Sequence, residues 1–329
     1  KYMSSDLLYS SMLAQAFDIF FLFLPLWAPI ILGYIALKIW LSYICADFIV
    51  KEGSVLLEIK LPREILKSPL AMELVFTGLH QGANNTLIDG YIKGKTRPSF
   101  SLEIVSIEGQ VKFFIWSRAR FRRLIETQIY AQYPGVEIYE AEDYTKNVHH
   151  PGNLKPGATA PFWAAYFKLL KPDVYPIKTY VDYGLDKDPK EELKIDPMTS
   201  VLEYMGSMRK GEQAWIQIVV QAHRKEGFND GRLFKKADWT DPGKKEIKKL
   251  IDSLKLDGGD VESTAKYRQP TKGESEIITA LERSLSKLPF DVGVRAFYIA
   301  QPEAFNPIGI AGLIGSFRPV SYTHLTLPT

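Results

Sequence analysis

The longest apolar run of the chain lies close to its N-terminus. Nineteen uncharged residues, IFFLFLPLWAPIILGYIAL, stand between Asp18 and Lys38, and further apolar residues continue to Ile44. At about 1.5 Å per residue, a helix of this length crosses a bilayer core of about 30 Å. The pattern therefore predicts one transmembrane helix over about residues 19–44, within a membrane anchor that covers residues 1–52.

Two other interpretations of this run are weaker. A signal peptide has an apolar region of about 7–15 residues followed by a small-residue cleavage site, and this run is longer. A soluble helix without any polar face is also unexpected. Lys38, Lys51, Lys60 and Arg63 follow the run closely, whereas only Lys1 precedes it. Because positive charge favours the cytoplasmic side, we expect a single-pass membrane protein whose soluble domains lie in the cytoplasm.

The first region after the anchor alternates between period-2 and helical patterns. Glu108-Gly109 separates two of its strands and is a hairpin signal. Residues 81–98 are polar and contain glycine, so we expect a loop there. The predicted elements are a strand at 54–62, a helix from Ser68-Pro69, strands at 99–107 and 110–116, a helix capped by Ser117, and a strand at 136–139. This βαββαβ order predicts a ferredoxin-like domain over residues 53–145.

A second round of similar order follows a linker at residues 146–160. It predicts a second ferredoxin-like domain over residues 161–318, with an insertion at 224–268. Its predicted elements are strands at 162–170, 213–223 and 292–300, a helix at 197–208, and a helix that begins with the capping box of Thr271 and Glu274. The fold class predicted for the whole chain is α+β, with an N-terminal transmembrane helix and two ferredoxin-like domains.

The end of the chain has an unusual composition. Residues 319–329 resemble translated sequencing adapter and are left out of the fold prediction. We expect the native protein to continue beyond Arg318. The apolar Gly309, Gly312 and Gly315 spacing is consistent either with a packing surface or with a loop.

Two basic clusters are the candidate binding surfaces. The first consists of Arg118, Arg120, Arg122 and Arg123, with aromatic residues nearby; the second is the lysine-rich side of a predicted helix and includes Lys244, Lys245 and Lys248. Such clusters can bind acidic lipid or nucleic acid. The favoured interpretation of both clusters is nevertheless the solvated outer face of a helix, and the mild net charge of +3 does not favour a nucleic-acid-binding protein.

The sequence predicts neither catalysis nor a cofactor or metal site. Gly94-Lys95-Thr96 is similar to the end of a phosphate-binding loop, but Asp89 stands where that motif requires glycine. His149-His150 has no further ligand at metal-binding spacing, and the chain has one cysteine, Cys45. We therefore expect a protein that is not an enzyme.

Several sequence blocks carry a family resemblance. They read LLEIKLPREILKSP, SLEIVSIEGQVKFFIW, IYAQYPGVEI, YPIKTYVDYGLDKDP and KIDPMTSVLEYMGSMRKGEQAWIQI. From Ser54 to Arg318 the chain resembles an uncharacterised membrane-anchored bacterial family. Over about 40 residues around IYAQYPGVEI it is also similar to the N-terminal, non-catalytic part of type IV secretion ATPases of the conjugation type. The second resemblance implies a membrane-associated scaffold for transfer machinery.

The leading functional hypothesis is a non-catalytic, membrane-anchored scaffold or adaptor of a type IV secretion-like apparatus. Its expected partners are the lipid bilayer and either proteins of such a complex or further copies of the chain. One alternative is the N-terminal part of a longer nucleotide-driven motor that is truncated after Arg318. Another alternative is a membrane-tethered nucleic-acid-binding module.

Overall fold

The computed structural model describes residues 22–62, 67–81, 86–147, 162–169, 173–175, 179–185, 198–224, 238, 240–254, 268–317 and 325–326. Residues 1–21, most of the predicted linker at 146–160, most of the insertion at 224–268, His149-His150 and most of residues 319–329 lie outside this description. The chain divides into two compact units. The helical unit consists of residues 1–51 and 85–96, and the sheet unit consists of residues 52–84 and 97–329.

The first described helix, α1, extends over Leu24–Glu52 and is 29 residues long. It is apolar and long enough to cross a membrane, with a mean hydropathy of 1.7 over its most apolar window. Pro29 lies inside it, and Ile44 is buried. This confirms an N-terminal apolar helix of spanning length. The helical unit also contains a short helix, α3, Leu87–Tyr91. The polar, glycine-containing composition predicts a loop at this position instead. A helix of five residues is too short to show a helical period in the sequence.

The sheet unit is built on antiparallel strands. Seven described strands form one sheet in the order β4-β1-β3-β2-β6-β7-β5, and a two-residue strand β8, Leu325–Thr326, pairs with β5 at the edge. The strands are β1 Ser54–Lys60, β2 Ser99–Ile107, β3 Gln110–Arg118, β4 Glu137–Glu140, β5 Phe162–Leu169, β6 Glu212–Ala222 and β7 Phe290–Ala300. The mixed α+β class is therefore confirmed.

The two halves of this sheet are joined by the pairing of β2 with β6. Nine residue pairs connect them, from Ser99 with Gln221 to Ile107 with Gln213. The structure thus shows one continuous sheet and does not confirm two ferredoxin-like domains. Both strands carry buried residues along their length, among them Phe100 and Val105 of β2 and Ile216 and Val220 of β6. Strands buried in this way are unsuited to be exposed edges.

The described residues of the sheet unit form six further helices. They are α2 Leu70–Leu79, α4 Arg122–Gln132, α5 Thr199–Gly206, α6 Thr240–Asp252, α7 Lys272–Ser286 and α8 Pro307–Ser316, and a 3₁₀ turn at Ala119–Phe121 precedes α4. Ser117 lies inside β3 and does not cap α4, so that prediction was wrong. The capping box of Thr271 and Glu274 is confirmed at the start of α7.

Two apolar clusters lie between the sheet and the helices. In the first half, Val75 and Leu79 of α2 pack with Ile125 and Ile129 of α4 over Leu57. In the second half, residues of α5 and α8, among them Met205 and Leu313, pack over Ile216 and Tyr298. Burial of each such side chain stabilises the fold by about 1.5–3 kcal/mol. We call this side of the sheet the helix face.

Glycines set two of the close contacts in this unit. Glu108 and Gly109 both have positive φ, 53° and 85°, which is the two-residue turn that the sequence predicted. In α8, a Cβ at Gly312 would lie 2.2 Å from the ring of Tyr204, and one at Gly309 would lie 2.8 Å from Tyr298. Of the two interpretations of this glycine spacing, the packing surface is therefore the correct one.

Candidate interaction surface

The opposite side of the sheet carries polar and aromatic residues. Strand register places Phe114, Glu103, Gln217 and Arg295 side by side across β3, β2, β6 and β7. Leu56, Val105, Trp215 and Ile299 are buried on the same side. We call this side the network face, after the hydrogen bonds that connect its polar members.

Glu103 is the centre of this hydrogen-bond network. Its side chain is buried, and Ser101 Oγ donates to Oε1 at 2.7 Å while the Tyr144 hydroxyl donates to Oε2 at 2.6 Å. Gln217 Nε2 donates in turn to the Tyr144 hydroxyl at 2.7 Å. Burial raises the pKa of Glu103 above its usual range, although the two hydroxyl donors oppose this change. Burial also raises the pKa of Tyr144, so its hydroxyl stays a donor at neutral pH.

Aromatic rings surround the network. Tyr144 stacks on Phe114 at a centroid distance of 5.4 Å and meets Trp215 edge-on at 4.8 Å. Trp215 also contacts Phe297 at 5.8 Å. The indole Nε1 of Trp215 is buried and finds no hydrogen-bond partner among the described residues. Tyr144, in the segment 141–147, thus covers part of the network face. The Trp215 N–H is a donor left unsatisfied beneath it, which is uncommon for a buried polar group.

A patch of exposed aromatic residues lies beside the network, on β5 and β7. Phe162 and Tyr166 on β5 are 55% and 47% exposed. Phe162 contacts Phe297 at 6.1 Å, and the guanidinium of Arg295 lies 5.9 Å from the Phe297 ring centroid. Gly293 leaves room for Tyr166, because a Cβ there would lie 3.1 Å from the tyrosine hydroxyl. We call Phe162, Tyr166, Arg295 and Phe297 the aromatic patch.

Two of the four predicted arginines form one ion-pair cluster with Glu52. Arg118 is buried, and its Nη1 lies 2.8 Å from Glu52 Oε2, while Arg120 Nη1 lies 2.7 Å from Glu52 Oε1. Arg118 Nη2 also donates to the carbonyl of Arg97 at 3.2 Å. Arg118 therefore neutralises a largely buried carboxylate, which is a structural task.

The other two predicted arginines point to solvent. Arg122 pairs with Glu126 and with Glu140. Arg123 is exposed, and no carboxylate in the described part of the chain forms an ion pair with it. The structure therefore does not gather the four arginines into one exposed surface, although each has a defined position on β3, the 3₁₀ turn or α4.

The three predicted lysines lie on α6. Lys244, Lys245 and Lys248 are all exposed, whereas Gly243 on the same helix is buried against Leu285 of α7. Lys249 pairs with Glu246 at 3.1 Å. The lysines thus form the solvent side of a helix whose other side packs on α7.

A third feature is an open cleft between β3 and α5. Its volume is about 430 Å³, and its lining includes Val111, Phe113, Leu202 and Glu203. Glu203 is the one ionisable residue of this lining. In the described part of the chain, no group of three or more His, Cys, Asp or Glu side chains is arranged to hold a metal ion. Among the described residues that line the cleft, the polar side chains are those of Glu203 and Ser207.

Sequence reasoning missed the network and the aromatic patch. Glu103 and Gln217 alternate with apolar residues, which is the pattern of a strand with one face in water. The segment that buries them follows β4 and is remote in sequence from both strands. The signal available was the aromatic content of the same face, because Phe114, Trp116 and Trp215 are large for a solvated surface.

Comparison with known proteins gives one match. A family model described as a domain of unknown function, DUF8128, matches residues 49–322, and the chain belongs to this family. Neither the curated proteins nor the solved structures contain a protein that matches the chain. The match covers the whole sheet from β1 to β7 as well as α8.

Proposed function

We propose that this protein is a membrane-anchored binding module, a scaffold or adaptor that works without catalysis. The anchor is α1, most of whose large apolar side chains are exposed along the helix. The bound partner is a protein, and the aromatic patch is its docking site. This combination joins a fixed location at the bilayer to one defined contact surface.

The exposure of the aromatic patch is the observation that carries the proposal. Tyr, Phe and Arg are enriched at the centres of protein interfaces and contribute much of their binding energy. Here the rings of Phe162 and Tyr166 and the guanidinium of Arg295 are exposed on neighbouring strands of the sheet. Phe297, beside them, is partly buried. The rings of such a site lose little side-chain entropy on binding, because they have few rotatable bonds.

Site-specific photo-crosslinking tests this proposal. Benzoyl-phenylalanine at Phe162 of the full chain in its native membrane should give a protein adduct of discrete mass. The Arg295→Glu substitution should decrease the adduct strongly, since it reverses the charge of the patch. The control position is Tyr130 on α4, which is similarly exposed. Equal adducts at both positions, or none at Phe162, would contradict the proposal.

The finer architecture supports a duplicated scaffold. In the first half, the order β4-β1-β3-β2 with α2 and α4 on one face is that of a ferredoxin-like repeat. In the second half, β5, β7 and β6 stand in the same order as β1, β3 and β2, with α5 and α8 as the helices. We infer two such repeats fused through β2 and β6. Their cytoplasmic location and a role in a secretion-like apparatus rest on the charge pattern and the sequence resemblance.

A second candidate function is nucleic-acid binding through α6. The observation that favours it is the common exposure of Lys244, Lys245 and Lys248 on one helix side. Replacing all three by glutamine should decrease the slope of log K against log salt for duplex DNA by about 2–3, if each contacts one phosphate. An unchanged slope would exclude this helix as a DNA-binding surface.

A further inference from the structure

The helical unit contains a second element beside the apolar helix. Thr86 and Asp89 form a capping box that starts α3, and residues 92–95 continue from it. Lys93 and Lys95 each pair with Asp89, at 3.1 Å and 3.4 Å, and these contacts together with the cap lower its pKa. The segment is therefore held in one defined local conformation.

Two contacts fix this segment against the last third of α1. Trp40 Nε1 donates to the carbonyl of Tyr91 at 3.0 Å. Gly94 has a φ of +65°, and a Cβ there would lie 2.3 Å from the carbonyl oxygen of Ile44. Only glycine can bring the backbone so close to the helix. Residues 86–95 therefore lie beside α1 at the level of Trp40 and Ile44.

This level corresponds to the headgroup layer if α1 spans the bilayer. The uncharged run ends at Leu37, so at about 1.5 Å per residue Trp40 and Ile44 lie about 5–10 Å beyond it. The interfacial layer on each side of the hydrocarbon core is about 5–8 Å thick. Trp40 and Tyr43 suit this depth, since such rings concentrate at the membrane interface.

The exposed side chains of the segment match that environment. Ile88 of α3 and Ile92, the helical C-cap residue of α3, are 57% and 63% exposed, and their i, i+4 spacing places them on one side of this turn. Lys93 and Lys95 are exposed on the same segment. An apolar side next to basic residues is typical of elements that lie in the plane of the membrane surface.

We propose that residues 86–95 lie in the headgroup layer of the bilayer that α1 crosses, with Ile88 and Ile92 inserted at the boundary of the acyl chains. The segment is thus a second membrane contact, and Trp40 and Gly94 fix it to the first. This inference rests on the proposed membrane anchor, and labels in α1 and in the segment distinguish the failure of one from the failure of the other.

Lipid-quenching of a fluorescent label tests the position of the segment. Cys45, the one cysteine of the chain, is first replaced by serine, and single cysteines are then introduced at Ile88, Ile92, Ile35 or Ser207 of the full chain. Each variant is labelled with a nitrobenzoxadiazole probe and reconstituted into vesicles of phosphatidylcholine and phosphatidylglycerol. Doxyl groups at a shallow or a deep acyl position serve as quenchers.

We expect labels at Ile88 and Ile92 to show blue-shifted emission and stronger quenching by the shallow than by the deep quencher. The label at Ile35, inside α1, should be quenched more by the deep quencher, and Ser207, an exposed residue of the sheet unit, should emit as in water. Aqueous emission at both segment positions, with Ile35 quenched, would overturn the inference and leave the anchor intact. Preferential quenching of Ile88 and Ile92 by the deep quencher would also overturn it. Aqueous emission at Ile35 would overturn the anchor and this inference together.

A second pair of variants guards against misfolding of the labelled proteins. Ile88→Ser with Ile92→Ser should keep the near-UV circular dichroism of the chain in detergent, because both side chains are exposed. In vesicles, the amides of residues 87–92 should exchange hydrogen faster in this variant than in the parent, since the segment then leaves the interface. Equal exchange in both proteins would contradict the proposed insertion.

Discussion

The two faces of the sheet are both buried in part, but by different kinds of side chain. On the helix face, aliphatic residues of α2, α4, α5 and α8 cover aliphatic residues of the strands. On the network face, a carboxylate, a phenol and an amide are buried among aromatic rings. Neighbouring residues of one strand thus enter two different environments, as Leu56 and Leu57 of β1 illustrate.

The difference shows what a period-2 pattern can and cannot establish. Alternation assigns side chains to faces, because successive Cβ atoms point to opposite sides of a strand. It does not say whether the polar face meets water. Here Tyr144 covers Glu103 and satisfies it, so a face that looks solvated in the sequence is partly a second core. Buried polar networks of this kind stabilise only when their members are satisfied.

The sharpest test of the comparison uses the two adjacent leucines. Leu57→Ala should decrease the free energy of unfolding by about 3–4 kcal/mol, since it leaves a cavity among tightly packed aliphatic side chains. Leu56→Ala should cost about 2 kcal/mol, because the rings around it can shift. Urea denaturation of the full chain in detergent, followed by tryptophan fluorescence, measures both values.

Equal decreases in the free energy of unfolding at the two leucines would mean that the two faces are packed equally tightly. A larger loss at Leu56 would mean that the network face is the more rigid core. Since both residues lie on β1 and have the same side chain, differences in strand propensity cancel in this pair.

The ion pairs of Glu52 provide the next largest effect. Arg118→Ala leaves a largely buried carboxylate with Arg120 as its remaining cation, so unfolding should become easier by about 2–3 kcal/mol. Arg123→Ala, within the same predicted cluster, should change stability by less than about 0.5 kcal/mol, because Arg123 is exposed. Thermal denaturation compares the two variants with the parent. Equal effects would indicate that Arg118 is not structural and would favour the predicted binding surface.

Much of the local structure could be predicted from the sequence. The hairpin at Glu108-Gly109 and the cap at Thr271 depend on neighbouring residues, and local chemistry was sufficient for both. The helix α8 was not predicted, because three glycines in ten residues disfavour a helix and the rings of Tyr204 and Tyr298 that explain them lie elsewhere in the chain.

The candidate sites depended on longer-range information. The exposed lysines of α6 could be identified from their helical spacing, because a helix face is a local property. The pairing of Arg118 with Glu52, 66 residues away, could not be identified in this way. The continuous sheet was missed for the same reason, since the pairing of β2 with β6 has no local signal.

Removal of one hydroxyl from the network should have a smaller effect than either test above. Tyr144→Phe keeps the ring contacts with Phe114 and Trp215 but deprives Glu103 of one donor. We expect a loss of about 1.5–2 kcal/mol, typical of a hydrogen bond to a buried carboxyl group. Tyr139→Phe, at an exposed position on β4, is the control and should be nearly neutral. If the two variants unfold at the same urea concentration, the network contributes nothing beyond ring packing.

The pH dependence of stability gives the most selective comparison, with the smallest change at any one pH. Burial raises the pKa of Glu103 in the folded protein above the usual value of 4.5. The folded state then holds this proton more tightly than the unfolded state does. This favourable contribution is complete below about pH 4.5 and is lost as the pH rises through the folded pKa.

Glu103→Gln cannot titrate, so its stability relative to the parent should increase as the pH is raised from 4.5. All other ionisable groups are common to both proteins and cancel in the difference. Parallel stability curves for the two proteins would mean that Glu103 ionises in the fold as easily as in the unfolded chain, and the network face would then be a solvated surface rather than a second core.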